Sequence, residues 1–262
     1  MLPLPPNQVH LWLVFESEVQ NGLLTEYRRL LTNEERQQEQ RFRFANDRRR
    51  YLITRALIRT VLSRYSVHGP ACWRFARNEF GRPMLVTGDG AMSSLSFNLS
   101  HTKGLILCGI TRNHVVGVDV ENIRCRTASL EIADQSFSSE EAAALHAVPA
   151  CLQSEHFFHY WTLKESYIKA RGKGLSMPLE QFSFHFPDAR SVKVSFSKSL
   201  EDFPTGCRFW LLRPSSEHVA AVCVERSEGF SQDLVMRRSI PLYVEAPYEC
   251  SMLRQSNIEA EM

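Results

Sequence analysis

Residues 115–123 read VVGVDVENI, a valine alternation that ends in two acids. Side chains two apart on a strand share a face, so Val116, Val118 and Val120 point one way and Gly117, Asp119 and Glu121 the other. Any fold containing this segment must offer a core to the valines and an environment that tolerates two carboxylates on the opposite face. A lone D-x-E pair is most often a solvated strand face. A third acid shifts the balance. Glu165 lies in FFHYWTLKESYIKARGKG, where Trp161, Glu165 and Lys169 recur at i, i+4 and i+8 and form one helical stripe among aromatic residues.

Two stretches of similar grammar make up the chain. In the first, VHLWLVF (9–15) reads as a strand, and Thr32 and Asn33 offer N-cap oxygens to a helix over the polar stretch that follows. NDRRRYLITRALIRTVLSRY (46–65) has Leu52, Ile53, Ala56, Leu57 and Val61 at helical spacing, with Arg48, Arg49, Arg55 and Arg59 expected on the other side. WRFARNEFGRPML and SLSFNLSHTKGLILCGIT read as short strands around the turn residues TGDGAM. The second stretch opens with the 115–123 strand. A helix capped by Ser138 or Ser139 follows, then a longer one over 154–174 stopped by Gly172 and Gly174, then the strands SVKVSFS, CRFWLLR and HVAAVCVE. This order predicts an α+β fold with a pseudo-twofold arrangement of two similar subdomains, residues 1–112 and 113–228. Residues 229–262 are expected to form a loosely held C-terminal tail.

Composition removes several function classes. Lys+Arg 31 against Asp+Glu 29 leaves a formal charge of +2, too balanced for wholesale binding of nucleic acid or membrane surface. The start, MLPLPPNQVHLWLVF, lacks a basic n-region, and no run of about 18 apolar residues occurs, so a cytoplasmic protein is expected. Seven cysteines with no CxxC pair fit neither a disulfide framework nor a zinc site, and the thiols are expected to fill the core.

GVDVENI, WTLKESYIKARGKGLS and FNLSHTKG together resemble the signature blocks of the Sfp-type 4′-phosphopantetheinyl transferases, in order and in approximate separation, from roughly Val9 to Glu225. The G-[hydrophobic]-D-x-E block matches at Gly117, Asp119 and Glu121, and W-x-x-K-E-[SA]-x-x-K at Trp161, Lys164, Glu165, Ser166 and Lys169. NEFGRP (78–83) resembles N-x-x-G-[KR]-P, and Asn98, Ser100 and His101 the N-x-S-H block. The chain departs from the family where lysines precede the R-F segment: it has Glu34, Glu35, Gln37 and Gln38 there, so Arg36, Arg41 or Arg50 is left to meet a 3′-phosphate.

The resemblance implies transfer of 4′-phosphopantetheine from coenzyme A to a serine of an acyl or peptidyl carrier protein of fatty-acid, polyketide or peptide synthesis, by a monomer with its cleft between the halves. It also implies Mg²⁺. Three neighbouring carboxylates repel, since even at an effective dielectric of ~20 two charges 4 Å apart cost about 4 kcal/mol, and a hard dication with oxygen ligands relieves this. The resemblance thus implies that Asp119 and Glu121 are metal ligands and that Glu165 is either a third ligand or the acceptor of the serine proton, directly or through water. By the same resemblance Lys169 is expected to stabilise the leaving bisphosphate. The resemblance also implies that Arg50, Arg82, Ser100, His101 and Lys169 contact coenzyme A, and Trp161 is expected to pack the helix. A metal-dependent phosphodiesterase would also use a D-x-E pair and a third acid, and a noncatalytic carrier-binding scaffold would need no metal.

Overall fold

The computed structural model describes residues 1–86, 94–125, 128–172, 174, 177–197, 206–225 and 232–256. The TGDGAM turn and Lys173, Leu175 and Ser176 of the long helix block lie outside them. In chain order the elements are β1 (Gln8–Phe15), α1 (Leu24–Arg29), α2 (Asn33–Arg41), α3 (Ala45–Ser63), β2 (Arg74–Arg77), β3 (Pro83–Val86), β4 (Leu95–Thr102), β5 (Leu105–Arg112) and β6 (Val116–Asn122). There follow α4 (Leu130–Ser136), α5 (Ser139–Ala147), α6 (Ala150–Arg171), β7 (Phe182–His185), β8 (Lys193–Phe196), β9 (Cys207–Ser215) and β10 (His218–Glu225). Three further strands, β11 (Asp233–Ile240), β12 (Val244–Pro247) and β13 (Ser251–Gln255), complete the fold.

Local chemistry sets the boundaries. Thr32 caps α2 and Ser138 caps α5, each in a reciprocal capping box with the glutamate three residues on, Glu35 and Glu141. α6 ends where Gly172 turns to φ 67°, a left-handed cap that costs glycine nothing.

Two sheets form the centre, with strand orders β12-β11-β1-β5-β4 and β13-β9-β10-β6. Within them β1-β5-β4 and β6-β10-β9 repeat the same order, which is the pseudo-twofold relation of an α+β pair. The sheets meet through an apolar layer to which β1 gives Leu11 and Leu13, β6 gives Val116, Val118 and Val120, and β10 gives Val222 and Val224. The opposite face of β1, with Trp12 and Val14, packs on α3. The outer face of the second sheet packs on α6. The order is therefore helices, sheet, sheet, helices, and β6 is buried on both faces rather than half solvated.

The expectation of a loosely held tail is corrected. β11 lies parallel to β1 from Gln8↔Asp233 to Leu13↔Arg238, and β13 pairs with β9, so the segment after 231 adds strands to both sheets. Its backbone groups are used in pairing, and Arg64 and Glu245 add an ion pair at 3.0 Å. Arg59 is a second correction. It is fully buried, donates to the carbonyls of Pro70 and Trp73 at 3.0 Å each, and pairs with Glu35 at 2.6 Å. Arg55 shares Glu35 and lies over the Phe75 ring. The thiols are a third: all seven cysteines are free, but only Cys108 and Cys223 are buried. Among the described residues no helix is long and apolar enough to cross a membrane.

Candidate active site

β6 and α6 are held together by the absence of a side chain. A Cβ on Gly117 would fall less than 3.0 Å from the Ser166 carbonyl oxygen and the Ala170 amide nitrogen, so helix and strand touch backbone to backbone. Close approach brings the next turn of each element together. Asp119 and Glu121 on β6 then face Glu165 and Lys169 on α6 across a cavity of about 610 Å³. The first half closes it with Arg50 from α3, Ser100, His101 and Thr102 from β4, and Lys103 from the turn beyond. Val120, Trp161 and Cys125 complete the lining.

The acids are buried where the sequence alone left a solvated face open: Asp119 is 4% exposed and Glu121 7%. Lys169 Nζ donates to Asp119 Oδ1 at 2.6 Å and to Ser100 Oγ at 2.9 Å, and Ser100 Oγ donates to the same carboxylate oxygen at 3.0 Å. Asp119 Oδ2 is buried with no hydrogen-bond partner among the described residues. Burial, reinforced by the charge of Asp119 and opposed by Lys169, pushes the Glu165 carboxyl above its usual range. Surrounding walls, and then Arg50, hold the His101 imidazole below its ordinary value. Among the described residues no three acidic, histidine or cysteine side chains stand close enough to make a ready metal cage.

Arg50 is oriented by a residue the sequence did not flag. Glu16, at the end of β1, accepts Arg50 Nε at 2.9 Å and Nη2 at 3.2 Å, and its second oxygen also takes the Gly104 amide at 2.8 Å. The two are 34 positions apart, so only the packing of α3 against the end of β1 brings them together. Thr102 and Lys103 were also missed, although they directly follow His101 in the quoted block.

Two motif residues sit elsewhere. Arg82 does not line the cavity: it donates to the carbonyls of Ala170 at 2.6 Å and Val116 at 3.1 Å, while Asn78 donates to the carbonyl of Gly172 at 3.0 Å. The NEFGRP turn thus latches onto the C-terminal carbonyls of α6, which lack helical partners of their own. Lys164 is fully buried, with Glu141 at 2.7 Å and the carbonyls of Leu179 and Phe182 at 2.7 and 2.6 Å. All three ammonium donors are used, and Lys164 ties α6 to α5 and to the start of β7. Trp161 stacks on Phe157 at 5.8 Å between ring centroids, so it packs the helix as expected and also faces the cavity. Arg36 donates to the carbonyl of Arg28, and neither it nor Arg41 lines the cavity.

Comparison with known proteins matches residues 115–223 to the 4′-phosphopantetheinyl transferase superfamily and residues 20–109 to the family described as 4′-phosphopantetheinyl transferase, N-terminal. The chain is 31% identical over 206 residues to 4′-phosphopantetheinyl transferase Sfp of Bacillus subtilis, covering 79% of this chain and 87% of that protein. It is 34% identical over 204 residues to 4′-phosphopantetheinyl transferase HetI of Nostoc sp. strain PCC 7120, covering 74% and 83%. A phosphopantetheinyl transferase of Thraustochytrium sp. is 32% identical over 206 residues, covering 74% and 70%.

Proposed function

The chain belongs to the 4′-phosphopantetheinyl transferase superfamily, and on that premise we propose that it moves the 4′-phosphopantetheine group of coenzyme A to a serine hydroxyl of an apo acyl or peptidyl carrier protein. The products are holo carrier protein and adenosine 3′,5′-bisphosphate. The observation that carries this reading is the convergence of Arg50, Ser100 and His101 from one half with Asp119, Glu121, Glu165 and Lys169 from the other around one cavity.

The serine oxygen bonds to the phosphorus that bears the pantetheine arm, the bond from that phosphorus to the bisphosphate breaks, and the serine loses its proton. Such transfers depend on positioning and on compensating charge that grows on the leaving phosphate. Lys169 is placed to meet that charge once it is drawn from Asp119. Arg50 and His101 offer donors to the phosphates. Glu165 takes the serine proton, directly or through water, or serves as an oxygen ligand. Arg82 supports the site from behind, by holding the end of α6.

The carboxylates fit a magnesium ion. All donors are oxygens, Asp119 Oδ2 has no hydrogen-bond partner among the described residues, and burial, reinforced by the charge of Asp119, raises the Glu165 carboxyl. Mg²⁺ usually takes one or two carboxylates and completes its shell with water and substrate phosphates, so no closed cage is required. When bound between Asp119, Glu121 and Glu165 it would supply neutralisation of the diphosphate.

The test is the intact mass of an apo carrier domain incubated with this protein, coenzyme A and Mg²⁺. A phosphopantetheine increment that depends on both is expected. Hydrolysis of coenzyme A with the carrier unmodified would replace the reading with the metal-dependent phosphodiesterase, which the comparisons do not support.

A further inference from the structure

Cys125, in the turn after β6, is exposed and lines the 610 Å³ cavity. Cys72 and Cys151 are also exposed, but neither lines it, and the other four thiols are buried or half-buried. The same cavity contains a second sign of a missing ligand: the Asp119 side chain, 4% exposed, leaves Oδ2 with no hydrogen-bond partner among the described residues. A buried carboxylate oxygen is costly to leave unpaired, so this wall is built to receive a cation or a hydrogen-bond donor that the described residues do not provide. Arg50, His101 and Lys103 add the cationic and donor groups that a nucleotide diphosphate needs.

We propose that Cys125 is a thiol–disulfide exchange site for oxidised coenzyme A, the symmetrical disulfide of the co-substrate. The inference rests on the functional reading above, because it is coenzyme A that couples a phosphate end recognised by this cavity to an arm ending in sulfur. The Cys125 thiolate attacks one sulfur of the disulfide. That S–S bond breaks, a disulfide forms between Cys125 and one intact coenzyme A, and the other coenzyme A leaves as a thiolate that takes up the proton Cys125 gave away. Oxidation of Cys125 is matched by reduction of the leaving half, so no other oxidant enters. Holding the phosphate end in the cavity raises the local concentration of the disulfide at Cys125, which lines that cavity as Cys72 and Cys151 do not. The adduct occupies the coenzyme A site and stops transfer until a reductant removes it.

The experiment uses the full reduced chain with coenzyme A disulfide, quenched at intervals and mapped by peptide mass. Glutathione disulfide, which has the same reactive bond without the nucleotide, runs in parallel. Cys125 is expected to react at least about tenfold faster than Cys72 and Cys151 with coenzyme A disulfide, to lose that preference with glutathione disulfide, and to be slowed by adenosine 3′,5′-bisphosphate. Transfer activity should fall in step with the adduct and return with dithiothreitol. Cys125→Ser should keep basal transfer and resist the inhibition. Equal reactivity of the three thiols, or inhibition of Cys125→Ser to the same extent as the natural chain, overturns the proposal. Transfer by the untreated protein is measured first. Its absence removes the functional reading and this inference with it, whereas its presence without a Cys125 preference removes the thiol site alone.

Discussion

Replacing Gly117 by alanine drives a methyl group into the backbone of α6. The new carbon would fall less than 3.0 Å from the Ser166 oxygen and the Ala170 nitrogen and 2.9 Å from the Ala170 Cα, whereas ordinary contact begins near 3.4 Å. Ser166 and Ala170 are four apart, so the methyl enters one rung of the helical hydrogen-bond ladder, and no rotamer change can remove it. β6 is buried on both faces and held by β10, so relief comes from moving α6 away by roughly 1 Å or more. Overpacking of a dense interior costs about 1–3 kcal/mol, and a collision with backbone belongs at the upper end. A loss of about 3 kcal/mol lowers the melting temperature of a protein this size by roughly 6–12 °C. Activity should suffer separately, because the displaced residues adjoin Glu165 and Lys169 and the Lys169–Asp119 contact of 2.6 Å spans the same seam. An error of ~1 Å at a reacting centre costs on the order of a hundredfold in rate. Thermal melting and single-turnover transfer to an apo carrier, measured well below the melting point, separate the two effects. A Gly117→Ala protein that melts and turns over like the natural chain would refute the close-contact explanation of the site.

Asp119→Asn and Glu121→Gln should each lower transfer at least about a hundredfold, or ~2.7 kcal/mol of barrier, and near-normal turnover of either at limiting Mg²⁺ would withdraw its assignment as a ligand. The two lysines of α6 should part company. Lys164→Met leaves Glu141 buried without its cation and should cost about 3–5 kcal/mol of stability. Lys169→Met takes the cation from buried Asp119 and should cost some stability, less than Lys164→Met because the Lys169 side chain is 28% exposed, while turnover falls far more; a normal rate with an early melt would make Lys169 structural. Acid should destabilise the fold through two buried histidines: burial, then His156 and nearby arginines, lowers His159 to about 3, and burial, then Arg237, lowers His10 to about 4. Because both folded values lie below the ordinary 6.5, the unfolded chain binds these protons first, so stability is full above about pH 6.5 and is lost as pH falls toward 4. Each costs about 2 kcal/mol at pH 5, and His159→Phe should flatten the melting-temperature difference between pH 7 and pH 5; an unchanged slope would locate the effect elsewhere. Ending the chain at Glu225 removes β11 from β1 and β13 from β9 and should abolish soluble, cooperatively melting protein, while a truncated chain that folds and transfers would show that these strands are dispensable.

The amino-acid sequence determined what depends on near neighbours. Alternation in VVGVDVENI set the valine and acid faces of β6, Thr32 and Ser138 set where α2 and α5 begin, and Gly172 set where α6 ends. The Trp161, Glu165, Lys169 stripe was also legible, because a period of 3.6 puts those residues on one face. Which element would cover each face was decided only by tertiary structure. Lys164 and Lys169 are on one helix, yet five positions turn them well away from each other; one meets Glu141 in the core and the other meets Asp119 at the cavity. Arg59 looked like part of a solvated stripe until α2 brought Glu35 over it, and Arg82 looked like a nucleotide ligand although its donors serve the carbonyls of Ala170 and Val116. The strands after residue 231 carried too little apolar alternation to announce themselves, since β11 gains order from the edge of β1 that it completes. Periodicity assigns a side chain to a face, but its charge state and partners belong to whatever long-range contact arrives there, and local spacing carries no record of that contact.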